Sequence, residues 1–340
     1  MGLTVRAFDL GRDLEHAASL LAERHARDRA RDPRFPAEYA VPAACRPHVE
    51  SAVTGDGAAG AVAVRDGDVV GFAAMQVFLA NPTHMTAAFF TPRSTNIGYS
   101  GHAAAAGQEF DVYRALYAHL SEVFVARGFF DHNVYVAPRD AAVIEAFSSL
   151  GFGRTVVAGM RGVEPVADSG ADGFEMHQAS AEDAQVVFAL NDELTMHHAR
   201  APIFWPHLAE TDESSHQFTR ELLAEADKNA HWVAYKGTQA LGMNTFMQPI
   251  WITPMITPER TVYLYQGIVS EQARSGGVGR AILAHGVEWA RAQGYEHIAL
   301  HYASPNVSGA KFWDAHGFSP IEYRMTRHVD ERIAWAGAHR

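Results

Sequence analysis

The chain has one cysteine, Cys45, in 340 residues. An intramolecular disulfide is therefore excluded, and no cysteine-rich metal set can be assembled. No run of 18 apolar residues is present, so no segment reads as a membrane span. The N-terminus, MGLTVRAFDLGRDLEHA, is too charged for a secretory leader, and Arg6 stands where a myristoylation signal needs a small hydroxyl residue. Positive charge is also short: 28 Lys and Arg face 39 Asp and Glu, a net charge of −11 with His neutral. That excludes a broad basic face for nucleic-acid phosphates and favours a cationic small partner. The 19 histidines are scattered, with neither HExxH nor a His/Cys cluster at ligand spacing, so no metal is expected. These absences predict a soluble cytoplasmic protein without nucleic-acid or membrane partners.

What is present is a repeat. Residues 113–152 lie on 279–318 without a gap, at an offset of 166 residues, with 10 of 40 positions identical. Arg114/Arg280, His119/His285, Gly128/Gly294 and Phe152/Phe318 are among the pairs. Each copy reads as amphipathic helix, glycine stop, short strand, helix and Gly-Phe. With 48% apolar residues and a length suited to two cores, the chain divides into domains at 1–162 and 174–340. The segment 163–173, rich in Gly, Asp and Ala, is the expected linker. The second copy predicts strand 174–178, a helix capped by Ser180, a helix near 213–227, and a hairpin turning at KGTQ. Strand 261–269, helix 279–292, strand 297–302, helix 306–315 and a last strand near 321–328 follow. The layout β-α-α-β-β-β-α-β-α-β is α/β with a mixed, mostly antiparallel sheet.

The stretch QARSGGVGRA is the strongest local signal. Three glycines, Gly276, Gly277 and Gly279, interrupt a strand that leads into a helix, where each costs up to about 1 kcal/mol. A strand–turn–helix junction exposes backbone N–H groups that bind phosphate, and glycines let an anion sit on the main chain. The P-loop pattern fails because Arg280-Ala281 follows Gly279; the dinucleotide fingerprint fails at Ile282. R-x-x-G-x-G, from Arg274 to Gly279, fits. With the downstream Asn306 and the Phe312-Trp313…Gly317-Phe318 element, this resembles the GNAT acyltransferase family over Val262–Phe318. The resemblance implies two tandem GNAT-like domains, each with a splayed central strand pair that admits acetyl-CoA. It implies backbone contacts from Ile268 and Val269 to the pantetheine. It also implies a pyrophosphate cradle from Arg274, Ser275, Gly276, Gly277, Val278, Gly279 and Arg280, with Asn306 and Phe312 beside the arm. Asn306 also reads as an N-cap.

The first copy departs from this pattern. Arg274–Gly279 falls on Gln108–Tyr113, where every glycine is replaced and Glu109 and Asp111 would repel an anion. Asp140 stands at the place of Asn306. The first domain is expected to be a degenerate copy that does not bind CoA.

The expected function is N-acetyl transfer from acetyl-CoA to a small-molecule amine in the second domain. Its alternatives are a non-catalytic acyl-CoA sensor and different acyl-CoA chemistry on the same fold. Trp313 occupies the position where many relatives carry a tyrosine acid. Strand alternation puts Tyr263, Tyr265, Gly267 and Val269 on one face, and Tyr302 with Leu300 on a face of the next strand. Tyr265 and Tyr302 are the expected catalytic residues, and Glu193, His197 and His198 the acceptor-site residues. The duplication can stand in for a family dimer, so monomer and homodimer both remain open.

Overall fold

The computed structural model describes residues 2–167, 173–249 and 253–336. Residues 168–172 of the expected linker lie outside the described residues. The first half runs β1 (Thr4–Ala7), α1 (Leu10–Arg31), α2 (Pro42–Thr54), β2 (Ala59–Arg65), β3 (Asp68–Leu79), β4 (Arg93–Ile97), β5 (His102–Ala104), α3 (Glu109–Ala126), β6 (Asp131–Val136), α4 (Ala141–Ser149) and β7 (Gly153–Gly162). The second repeats this order: β8 (Glu175–Gln178), α5 (Ala184–Ala199), α6 (Asp212–Ala224), β9 (Ala230–Lys236), β10 (Gln239–Met247), β11 (Thr261–Val269), α7 (Val278–Ala292), β12 (His297–Ala303), α8 (Val307–Ala315) and β13 (Ser319–His328).

Local chemistry explains most of these boundaries. Ser180 and Asp183 form a reciprocal capping box at the turn that enters α5. Asn306 caps α8, accepting from the Gly309 amide at 3.0 Å. β11, TVYLYQGIV, is built of β-branched and aromatic residues and starts and stops where the sequence predicts. No helix of the described residues is long and apolar enough to cross a membrane.

The sheets of the two halves are not separate. The strand order is β1-β2-β3-β4-β6-β13-β7-β12-β11-β10-β9-β8, with β5 paired to β3. The last strand of each half has crossed into the other: β13 lies against β6, and β7 against β12. The two exchanged strands pair antiparallel at the centre, from Ser319↔Met160 to Thr326↔Gly153. Among the described residues only β4/β6 and β11/β12 are parallel, one pair on each side of the seam. The order therefore reads the same from both ends, with a pseudo-two-fold axis between β7 and β13.

One apolar cluster spans the seam, taking Leu21 and Phe72 from the first half and Met247 and Tyr263 from the second. It also holds Met160 and Ile321 from the exchanged strands, both fully buried. This cluster lies on the face that carries α1, α2 and α6. On the opposite face α7 and α8 cover Leu264, Ile298 and Leu300.

Candidate active site at the splayed strands

The mouth of α7 is bare. Gly277 is the N-cap in the left-handed region, φ 81°, which glycine adopts without strain. Ser275, Gly276 and Arg280 are exposed. The first intrahelical bond runs from the Ala281 amide to the Gly277 carbonyl at 3.0 Å, so the amides before it point outward. Gly279 answers a close approach: a Cβ there would lie 3.2 Å from Val269 Cγ2 and 3.3 Å from Phe312 Cε2. Arg274 folds back, its Nε donating to the Val269 carbonyl at 3.1 Å.

Behind this mouth the sheet opens. β11 and β12 pair only from Thr261↔His297 to Tyr263↔Ala299. Beyond Tyr263, β11 keeps β10 on one side, while β12 stays with β7 as far as Ala303. Among the described residues, Ile268 and Val269 thus lie on a strand edge with no strand partner toward β12. A polar crevice of about 370 Å³, lined by Glu193, His197, Ser270 and Arg274, opens beside the mouth.

A bulge redirects the side chains of β11. Thr245 opposes Gln266 while Phe246 opposes Leu264, leaving Tyr265 as the extra residue. The expected alternation therefore fails beyond Tyr265. Tyr263 and Tyr265 pack toward α6 and the seam, but Gly267 faces Trp313, whose ring a Cβ would meet at 3.0 Å, and Val269 faces α7. Trp313 is buried, edge-to-face with Phe318 at 5.3 Å, and fills the space under Gly267. Tyr302 packs with Leu300 on the α7/α8 side, so the two expected catalytic tyrosines lie on opposite faces of the sheet.

The acceptor expectation divides in the same way. Glu193 and His197 share one face of α5 at i, i+4 spacing and open on the crevice, not on the cavity. Both Glu193 oxygens are engaged, by Ser270 Oγ at 2.7 Å and the Glu271 amide at 3.1 Å, which fixes the start of the glycine loop. The imidazole of His197 faces the Asn306 side chain across the wedge. Burial, then the Arg274 charge, lowers its pKa. His198, one residue on, turns into the cavity between the halves, where burial pushes its pKa down to about 4.

That cavity, about 460 Å³, lies over the seam on the α5/α6 side. Tyr265 and Gln266, at the bulge, form its boundary with the wedge. Glu322 and Arg324 reach it from exchanged β13, His301 from β12, and Phe89 and Tyr135 from the first half. Glu322 is buried, accepting from Thr253 Oγ1 at 3.3 Å, and burial raises its pKa to about 8. His301 bonds the Tyr263 hydroxyl at 2.9 Å, and burial lowers its pKa to about 4. Sequence reasoning missed Glu322, His301 and the first-half wall. Alternation placed His301 opposite Tyr302, but nothing local signals that β13 crosses the seam. Among the described residues no group of three or more His, Cys, Asp or Glu is placed to hold a metal.

In the first half the corresponding place is filled. Tyr113, at the position of Gly279, is buried, its hydroxyl 2.9 Å from His102 Nδ1 and its ring 5.3 Å from Phe147. Arg24, fully buried, donates to the carbonyls of Tyr99 and His102, and the Tyr99 hydroxyl donates to Asp28 at 2.9 Å. The helix mouth carries its own anions, with Arg27 3.9 Å from Glu109 and Arg65 3.9 Å from Asp111. Asp140 pairs with Arg31 at 3.4 Å, as Asn306 faces His197 in the other copy.

Residues 194–318 match the family model described as acetyltransferase (GNAT) family. No curated protein matches the chain in sequence. Among solved structures it is similar to a GCN5-related N-acetyltransferase from Sphaerobacter thermophilus, at 12% identity and TM-score 0.60, over 96% of this chain and 95% of that one. It is also similar to a GCN5-related glucosamine N-acetyltransferase region of a fungal multi-domain GH3 β-N-acetylglucosaminidase, at 14% identity and TM-score 0.54. That likeness covers 96% of this chain and 38% of the fungal protein. Such identities speak for the fold alone. The glycine-cradled mouth, the splayed pair and the match to the acetyltransferase (GNAT) family model thus fall in one place, within residues 194–318.

Proposed function

We propose that the protein is a cytoplasmic N-acetyltransferase that moves an acetyl group from acetyl-CoA to a small-molecule amine. Its active site is in the 174–340 domain, and the 1–162 domain is a copy that no longer binds CoA. The observation that carries this reading is the parting of β11 from β12 after Tyr263, directly behind a helix mouth of unpaired amides. Acetyl-CoA supplies an activated thioester. The amides from Ser275 to Arg280 hold its diphosphate, Arg274 adds charge, and the edge at Ile268 and Val269 takes the amide-bearing arm like an added strand. Asn306 and Phe312 border the arm. The amides at the bulge, near Gln266 and Gly267, stabilise the developing oxyanion.

The two tyrosines lie on opposite faces of the sheet, which supports different tasks for them. Tyr302 lies on the side of α8 and serves the departing sulfur; Tyr265 faces the cavity and serves the amine. Burial raises the pKa of both hydroxyls, so both are protonated at neutral pH: Tyr302 can give a proton to the sulfur, and Tyr265 can hold the amine by a hydrogen bond but not take its proton. Tyr265→Phe and Tyr302→Phe are expected to lower kcat at least about tenfold. Wild-type turnover in both would remove the assignment.

Calorimetry is expected to give one CoA per chain; two equal sites would refute a degenerate first copy. Thiol release followed with DTNB against an amine library tests the reaction itself. CoA binding without thiol release from any amine would instead favour a sensor. Thiol release without an amide product would favour other acyl chemistry.

A further inference from the structure

We infer that the cavity between the halves is the acceptor pocket, that it takes a primary amine carried on a flat apolar body, and that Glu322 holds this amine and accepts its proton. The inference rests on the acetyl-transfer reading and names the substrate class for that site.

Position comes first. The cavity begins at the bulge, where Tyr265 and Gln266 border the wedge, so an acceptor inside it meets a thioester carried along β11. Glu322 is 4% exposed and, among the described residues, has no ion pair; its bond to Thr253 leaves the rest of the carboxyl for a ligand. A buried carboxyl with one weak partner is costly unless something uses it.

The walls decide the substrate body. Phe89 of the first half and Trp205 of the second meet edge-to-face at 5.5 Å across the seam. Phe90 lies under the Arg324 guanidinium at 4.8 Å, and Arg324 Nη1 donates to the Phe89 carbonyl at 3.2 Å, pinning that cation to the wall. Tyr99 and Tyr135 complete an aromatic surface supplied by the copy without the glycine mouth. A volume of about 460 Å³ suits a small molecule of one or two rings. Asn191, Asp192, His207, Asp212 and Ser215 line the α5/α6 side, so it is the first-half wall of rings that favours an apolar body.

In the step, the amine nitrogen bonds to the thioester carbon, the carbon–sulfur bond breaks, and the nitrogen's proton passes to Glu322. The sulfur leaves as thiolate and takes a proton from a tyrosine. Thr253 and Arg24 act on Glu322 directly; Arg324, Tyr135, His301, Tyr263 and Tyr265 line the same cavity, as do Asp192, His198, His207, Asp212 and His216 from α5, α6 and the loop between them. Burial keeps His301 neutral and both β11 tyrosines protonated near neutral pH, and raises Glu322 to about 8. Its ionised form accumulates as pH rises through about 8, and kcat/KM of the free enzyme rises with it.

The test compares 2-phenylethylamine, glucosamine and spermidine as acceptors. We expect kcat/KM for 2-phenylethylamine at least about tenfold above either other amine. The reverse order overturns the substrate class and leaves acetyl transfer standing. Glu322→Gln is expected to lower kcat about 100-fold and to remove the rising limb near pH 8, with CoA affinity kept and Glu322→Asp partly restoring the limb. An unchanged pH profile in Glu322→Gln overturns its role. Phe89→Ala is expected to raise KM for 2-phenylethylamine about tenfold without altering CoA affinity; an unchanged KM overturns the first-half wall. Calorimetry of 2-phenylethylamine alone separates the two readings. Binding weakened by Phe89→Ala, with no turnover of any amine, keeps the pocket and sinks acetyl transfer. Absence of binding overturns the pocket by itself.

Discussion

Gly279→Tyr removes CoA binding, weakening it at least about 100-fold, or about 3 kcal/mol. A single Cβ at this position already lies 3.2 Å from Val269 and 3.3 Å from Phe312, so a phenol ring there competes for the space between the helix mouth and the strand edge. The first half displays the outcome: Tyr113, at the same place, sits buried against His102 and Phe147. Because the fold there tolerates tyrosine, the loss belongs to the ligand and not to unfolding. Calorimetry with CoA reads the affinity, and urea denaturation of the same sample checks that the protein is folded. Wild-type affinity in a folded Gly279→Tyr variant would mean that the diphosphate does not rest on this turn. Gly279→Ala is the graded control. It asks Val269 and Phe312 to give a few tenths of an ångström and is expected to cost about tenfold or less.

Cutting the chain at the linker gives the second large effect. Residues 1–167 keep β7, which pairs with β12 and β13 of the other half, and lose β13, which pairs with β6. Each piece would thus carry a surplus strand and lack a needed one, exposing the edge of β6 or β12 and fully buried residues such as Met160 and Ile321. Neither piece is expected to unfold cooperatively as a monomer in urea, while mixing them restores a 1:1 complex with a single transition. Two separately folded monomers with sharp transitions would show that the strand exchange is dispensable. The intact chain is expected to unfold in one transition, because its central core takes side chains from both halves.

The reach of the sequence follows from what each feature depends on. Local pattern sufficed for β11, α7 and α8, whose boundaries rest on alternation, glycine and an Asn cap. The repeat at 166 residues was legible because the helices of both copies still face the same core positions. The bulge at Tyr265 was not: a single extra residue in a strand leaves no mark in the sequence, yet it reverses the facing of everything after it. In the first copy the matching residue, Tyr99, sits in a short turn that breaks the strand between β4 and β5, so the two copies do not report the bulge to each other. Trp313 was legible as a departure; its reason, packing against Gly267, needed coordinates. Glu322 was invisible because its neighbours, Thr253 and Arg24, lie far away in the chain. Glu193 and His198, expected at one acceptor site, face different spaces, since proximity in sequence does not imply a shared direction.

The exchange of β7 and β13 acts as a suture. Glu322 is stitched through a strand whose other neighbour is β6, so its height over the splayed pair is fixed by the packing of α3 and α4 against the far lobe. A core lesion at Leu116 or Phe147 is expected to tilt that thread and to alter the proposed Glu322 pH limb before it alters the affinity for CoA. On the proposed reading, the first half sets alignment while the second sets grip.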